Sequence, residues 1–211
     1  MQPFLRTGAV LFFAASVTTI PVAAFAQCAV DPYLAAQLTE DGENDMAFDV
    51  DGDVAYLNGT ITDAILCKLK QLHKEHPEVE VLVFEDVAGS VDDETNLKAG
   101  LLLHKLGYIT ELEPGSVIAS GGVDLFLAGV ERYGVPQVEV GVHSWSDSEG
   151  NSALDFPRDH AEHKPYLDYF EAIGIDPEFY WFTLEAAAPE DIHIMTLEEM
   201  ARFGVFTETV E

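Results

Sequence analysis

The residues able to do chemistry gather around one serine. Ile118-Ala119-Ser120-Gly121-Gly122 sets that serine where a β-rich run gives way to a helical window of small and apolar residues. At such a junction the helix N-terminus offers unpaired backbone N–H groups and a partial positive charge. A hydroxyl becomes a nucleophile only with a base to take its proton, and the oxyanion it creates needs fixed donors. His143 ends the next strand and supplies a base. Gly89, in the loop after an earlier apolar run, supplies a backbone N–H to stand beside that of Gly121. The set reads as acyl-transfer chemistry, to be weighed against a plainer reading in which Ser120 only caps a helix and His143 is only a polar strand end. Asp124 lies one helical turn after Ser120 on an otherwise apolar helix. An ionised group buried alone is costly, so this carboxylate either lines a pocket or serves as an interface or capping partner. Trp145, two residues after His143, is a pocket wall or a core residue.

Rival chemistries fit less well. The Gly-x-Ser-x-Gly elbow of the α/β-hydrolases is absent, because Ile118 stands two places before Ser120. Asp49, Asp51 and Asp53 have the spacing of a calcium loop, but Gly52 comes two places early and the closing Glu is missing. His160 and His163 share a helix face near Asp155; without His-Glu-x-x-His they read as a solvated helix start rather than a zinc site. A lysine base would have to come from Lys98 or Lys105 on the preceding helix, and His143 is the simpler choice. No metal and no cofactor is expected.

The 211 residues are 48% hydrophobic and 10% aromatic, enough for one sizeable core and too few for two ordinary domains. Thirty-eight Asp and Glu against ten Lys and Arg give a formal charge of −28, which disfavours nucleic acid and anionic lipid as partners. Residues 1–26 carry Arg6, an apolar stretch from Ala9 to Val22 and the small-residue ending Ala24-Phe25-Ala26, the pattern of a secretory signal peptide. A periplasmic or secreted protein is expected, with no membrane association after cleavage. In that oxidising space Cys28 and Cys67 can pair, although two independent thiols stay open as the alternative.

After an N-terminal extension over residues 27–53, β-rich runs alternate with amphipathic windows, the pattern of an α/β domain. Val54 to Thr60 predicts a strand, and Thr62 caps a helix with Ile65, Leu69 and Leu72 on one face. Val81 to Phe84 predicts a strand buried on both sides. A helix through Leu97, Leu101, Leu102 and Leu106 ends at Gly107. Tyr108 to Leu112, Ser116 to Ala119 and Val138 to His143 predict strands, with a helix over Gly121 to Ala128. Pro157 to Ile173 predicts a helix, Pro177 starts another at its first position, and Thr196-Leu197-Glu198-Glu199 is a capping box. No internal repeat or long linker divides the chain, so residues 54–211 read as one domain.

Ala119-Ser120-Gly121-Gly122-Val123-Asp124-Leu125-Phe126-Leu127-Ala128-Gly129 resembles the nucleophile segment of the Clp protease proteolytic subunit, where Ala-Ser precedes a small apolar helix ending in Ala-Gly. Val140-Gly141-Val142-His143-Ser144 falls where that family has its catalytic histidine, and Asp86-Val87-Ala88-Gly89-Ser90 where it has its oxyanion loop. The resemblance runs from about Val54 to the closing helix. It implies the ClpP/crotonase fold of stacked ββα units, homo-oligomeric assembly, and a serine hydrolase of peptidase or esterase type. Carried over to this chain, Ser120 is the nucleophile, His143 the general base, and Gly89 and Gly121 the oxyanion donors. The third triad member should precede the closing helix, where Asp191 is the choice and Glu190 the neighbour. The loop reads Ala-Gly-Ser in place of the family's Pro-Gly-Gly, and residues 144–188 are only loosely similar to its handle region. A catalytically inactive assembly or binding module of the same fold is the competing expectation. Acyl-CoA chemistry of the crotonase kind is disfavoured for an exported, short chain.

Overall fold

The computed structural model describes residues 28–147 and 149–209; the segment read as a signal peptide lies outside the described residues. The fold is a single α/β domain built on a mostly parallel sheet, with nine strands among the described residues. The stretch read as an extension contributes helix α1 (Pro32–Asp41) and strand β1 (Ala47–Asp51), which pairs antiparallel with β2 (Val54–Asn58). Only Phe48 is buried in β1, whereas Ala55 and Leu57 of β2 are fully enclosed. Phe48 and Val50 alternate with Asp49 and Asp51, the period of a strand, and Val50 packs partly buried against the core, so the stretch read as an extension holds a strand of the sheet. Asp49, Asp51 and Asp53 point to solvent around this hairpin. The two cysteines are joined: the Cys28–Cys67 disulfide ties the start of the described chain to helix α2 (Ile65–Glu75), their Cα atoms 5.6 Å apart. Closing a loop of this size stabilises the fold by about 4 kcal/mol in the chain-entropy model.

Strand β3 (Val81–Val87) is the hub. One edge pairs with β2; the other pairs with β4 (Ile109–Leu112) through Val81–Val83 and with β5 (Val117–Ala119) through Asp86 and Val87, all in parallel. Leu82, Val83 and Phe84 are buried, as a run covered on both sheet faces requires. From this divergence one arm runs through β4 to β6 (Arg132–Gly134) and β9 (Glu208–Thr209). The other runs through β5 to β7 (Glu139–Val142) and β8 (His193–Ile194). The second arm carries the site, because Ser120 follows β5 and His143 follows β7 on neighbouring strands.

Helix α2 packs Ile65, Leu69 and Leu72 inward. Helix α3 (Asp93–Leu106) starts at Asp92, whose carboxylate accepts the Thr95 N–H at 3.0 Å, and stops at Gly107 in the left-handed conformation. Its buried face is Leu97, Gly100 and Leu103; the expected Leu101 lies on the outside. Helix α4 (Gly121–Leu127) is almost wholly enclosed. The helix predicted from Pro157 begins later: residues 157–160 form a turn, a 3₁₀ turn covers Ala161–His163, and helix α5 spans Lys164–Ala172 with Pro165 in its first turn. Proline is favoured there, so Pro165 rather than Pro157 sets the start. His163 is correspondingly not a solvated helix start but a fully buried residue whose Nδ1 meets the Tyr180 hydroxyl at 2.7 Å. Helix α6 (Glu178–Ala186) has Pro177 as its cap residue, one place before the expected position. The capping box opens α7 (Leu197–Arg202) as predicted, Glu199 N–H donating to Thr196 Oγ1 at 3.2 Å and Thr196 N–H to Glu199 Oε2 at 2.7 Å.

Candidate active site

Ser120 turns the chain from β5 into α4 with φ 51° and ψ −128°, the sole non-glycine residue with positive φ among the described residues. Its N–H donates to the Gly141 carbonyl of β7 at 2.9 Å, and its carbonyl accepts the Val123 N–H at 2.8 Å. The hydroxyl makes no capping hydrogen bond, so the helix-cap reading fails on geometry. Holding a side-chain-bearing residue in such a conformation costs about 1–3 kcal/mol, and no cap bond offsets it.

The glycines around Ser120 are there for close approach. A Cβ on Gly122 would fall 2.7 Å from the Val87 carbonyl, so α4 can tuck against the end of β3 only with glycine at that position. Gly89 has φ +149°, and a Cβ there would lie 3.3 Å from Ser120 Cβ and 3.7 Å from its Oγ. The loop carrying Gly89 is pinned to the residues leading into α2 by Ile61 N–H to Gly89 carbonyl at 2.8 Å and Val91 N–H to Ile61 carbonyl at 2.9 Å. Asn96 of α3 donates to the Gly121 carbonyl at 2.8 Å and fixes the first turn of α4. Gly121 itself has no intrahelical acceptor for its N–H at that position.

His143 leaves β7 and lines the same cavity as Ser120 and Gly121. Its Nδ1 stands 3.1 Å from the carbonyl oxygen of Pro189. A carbonyl can only accept, so Nδ1 carries the proton and Nε2 keeps its lone pair. The ring is thus oriented by a main-chain carbonyl and not by a carboxylate. Asp191 does come from the segment that passes His143, but its N–H closes a turn onto the Ala188 carbonyl at 3.0 Å, its side chain is exposed, and no hydrogen bond links it to the ring. Glu190 is exposed as well. The turn places Pro189 inward and sends both acids to solvent. A carbonyl contact of this kind has no residue-type signature, which is why reading side chains alone missed it.

Behind the pair lies a cavity of about 40 Å³, room for a few water-sized groups. Asp124 faces it, and so does Trp145, whose indole N–H donates to the Tyr180 hydroxyl at 2.9 Å. Trp145, Tyr166 and Tyr180 form a near-parallel stack, with centroids 6.1 and 5.2 Å apart. Asp93, Tyr166 and Tyr180 were not anticipated. The Asp92-Asp93-Glu94 run reads as helix-start chemistry, and the aromatic positions read as core. Asp93 accepts from the Ser90 hydroxyl and, at 2.8 Å, from the Tyr166 hydroxyl. Burial, with the Asp93 charge adding to it, pushes the Asp124 carboxyl up to about 8. Burial likewise raises Tyr166, with Asp93 as the next cause, and raises Tyr180. No lysine lines the cavity; Lys98 is exposed and paired with Glu94 at 2.6 Å.

No family model matches the chain, and no curated protein matches it. Among solved structures it is similar to a membrane-bound stomatin-specific protease, 1510-N, in complex with a substrate peptide, with 17% identity over 74% of each chain and a TM-score of 0.52. It is also similar to the catalytic domain of the ClpP protease from Plasmodium falciparum, with 12% identity, 75% of this chain and 85% of that one covered, and the same TM-score. The chain has the ClpP-like fold. The expected architecture stands at identities where only fold can be compared. Within this ClpP-like fold, Ser120 and His143 line one cavity, and no hydrogen bond joins their side chains in this structure.

Proposed function

We propose that the chain is an exported serine hydrolase of peptidase type, with Ser120 as nucleophile and His143 as general base. The strained, uncapped Ser120, lining one cavity with an imidazole whose Nδ1 is held by the Pro189 carbonyl, carries this reading. In the proposed reaction Ser120 Oγ bonds to the substrate carbonyl carbon while its proton passes to His143 Nε2. The oxyanion is met by the N–H groups of Gly121 and Gly89. The same proton then goes to the leaving amine as the C–N bond breaks, and water, activated by His143, releases the acyl group. The Pro189 carbonyl holds the Nδ1–H tautomer throughout and stabilises the imidazolium with a dipole, a weaker aid than a full carboxylate charge.

Peptide substrates are supported by the fold likeness to the stomatin-specific protease, itself held with a substrate peptide. Export is supported by the disulfide, which fits an oxidising compartment. Assembly into a homo-oligomer is supported by Ile192, Ile194 and Leu197, which are exposed around the edge strand β8. The test is turnover of an unstructured protein or an activated ester by the chain freed of residues 1–26. Wild type should hydrolyse it, and Ser120→Ala and His143→Ala should each lose nearly all activity while remaining folded. Equal activity in all three would reject the assignment, and no activity in any would favour a non-catalytic assembly module.

A further inference from the structure

The Asp124 carboxyl has no hydrogen-bond partner among the described residues, although it is partly buried in the cavity that holds Ser120 and His143. The other charged groups drawn into the fold are matched. Lys68 meets Asp45 and the Met46 carbonyl, and Arg132 meets three carbonyl oxygens at 2.9–3.0 Å. Asp93, the second acid on the cavity wall, has both carboxylate oxygens engaged, by Ser90 and Tyr166, which fixes it in place. Two acids thus face one small cavity with no lysine or arginine in its lining. Unmatched acids are expensive away from water, and the missing complement is a cation with N–H donors.

We propose that this cavity selects the substrate by an alkylammonium side chain on the residue whose carbonyl Ser120 attacks, with Asp124 as the direct partner of the cation and Asp93 behind it. The proposal rests on the serine-hydrolase reading. Asp124 lies one turn along α4 from Ser120, a spacing of about 5–6 Å, within reach of a short alkyl chain that starts at the reacting residue. The Trp145–Tyr166–Tyr180 stack forms an aromatic wall of the same cavity, and a low-dielectric wall strengthens attraction between ammonium and carboxylate. A chain of net charge −28 also draws cations toward its surface. A bound ammonium displaces the proton that burial holds on Asp124.

The experiment uses two peptidyl phosphonates that differ only in the reacting residue, lysine against its uncharged isostere norleucine, together with a simple fluorophosphonate. At about pH 9, where a lysine ammonium is still charged, the lysine probe should modify wild-type Ser120 at least tenfold faster than the norleucine probe. That ratio should fall toward one in Asp124→Asn, with Asp93→Asn giving a smaller drop. Equal rates for the two probes in wild type, with Ser120 still labelled by the fluorophosphonate, overturn the ammonium selection and leave the hydrolase standing. Should the fluorophosphonate fail to label Ser120, the hydrolase reading falls on its own. Binding of butylammonium against butanol, followed through tryptophan fluorescence in Ser120→Ala, then decides the cation site separately. Preference for butylammonium that Asp124→Asn removes supports it, and equal binding of the two overturns it.

Discussion

Two ionisable side chains drawn into the fold mark opposite arms of the sheet. Arg132 on β6 is only 9% exposed, and its guanidinium donates to the carbonyls of Gly129, Gly204 and Val205. Asp124 on α4, partly buried in the cavity with Ser120 on the other arm, has no hydrogen-bond donor among the described residues. The contrast separates structure from function. A buried charge whose three nitrogens each meet a main-chain carbonyl joins two segments, here the β6 strand and the turn after α7. A carboxyl drawn inward without a partner is open to a group that the described residues do not supply, and in this fold it shares its cavity with the hydroxyl and the imidazole.

The largest expected effect lies on the cavity arm: Ser120→Ala should cut hydrolysis by about 10³-fold or more while melting within a few degrees of wild type. Next, Arg132→Met should leave the cavity intact but cost about 3 kcal/mol in denaturant unfolding, since several carbonyls lose their donor in a buried setting. If Arg132→Met instead removed activity without lowering stability, the division between the arms would be broken.

Asp124→Asn sharpens the comparison through its pH dependence. With its folded-state value raised to about 8, Asp124 binds a proton in the folded chain that it has lost in the unfolded chain. Its contribution to stability is therefore fully present below about pH 4, declines as pH rises, and is lost as pH passes through about 8. Thermal melts should show wild type losing ground to Asp124→Asn between pH 5 and pH 9, by about 2–4 kcal/mol or roughly 5–10 °C. The smallest effect is expected at Asp191→Ala, where the exposed carboxylate touches no part of the site. Activity should change by less than about threefold and stability by less than about 0.5 kcal/mol.

Much of this organisation was legible from residue types and spacing. The junction at Ser120, the glycines on either side of it, the histidine after β7 and the capping box at Thr196 are local devices. Each depends on a few adjacent residues whose conformational or hydrogen-bonding preferences leave a mark. The parts that were not legible are long-range. Strands β6 and β9 are too short to show alternation, and His163 is enclosed because α6 folds over it. The orientation of His143 comes from a carbonyl 46 positions away, which any residue type could have supplied. Asp93 was hidden by doing two things, opening α3 and facing the cavity.

The account stands most directly on where a fluorophosphonate attaches. Intact-mass measurement followed by peptide mapping should find a single adduct on the peptide containing Ser120, absent in Ser120→Ala and formed much more slowly in His143→Ala. An adduct on any other residue, or labelling of Ser120 at the same rate when His143 is removed, would contradict it.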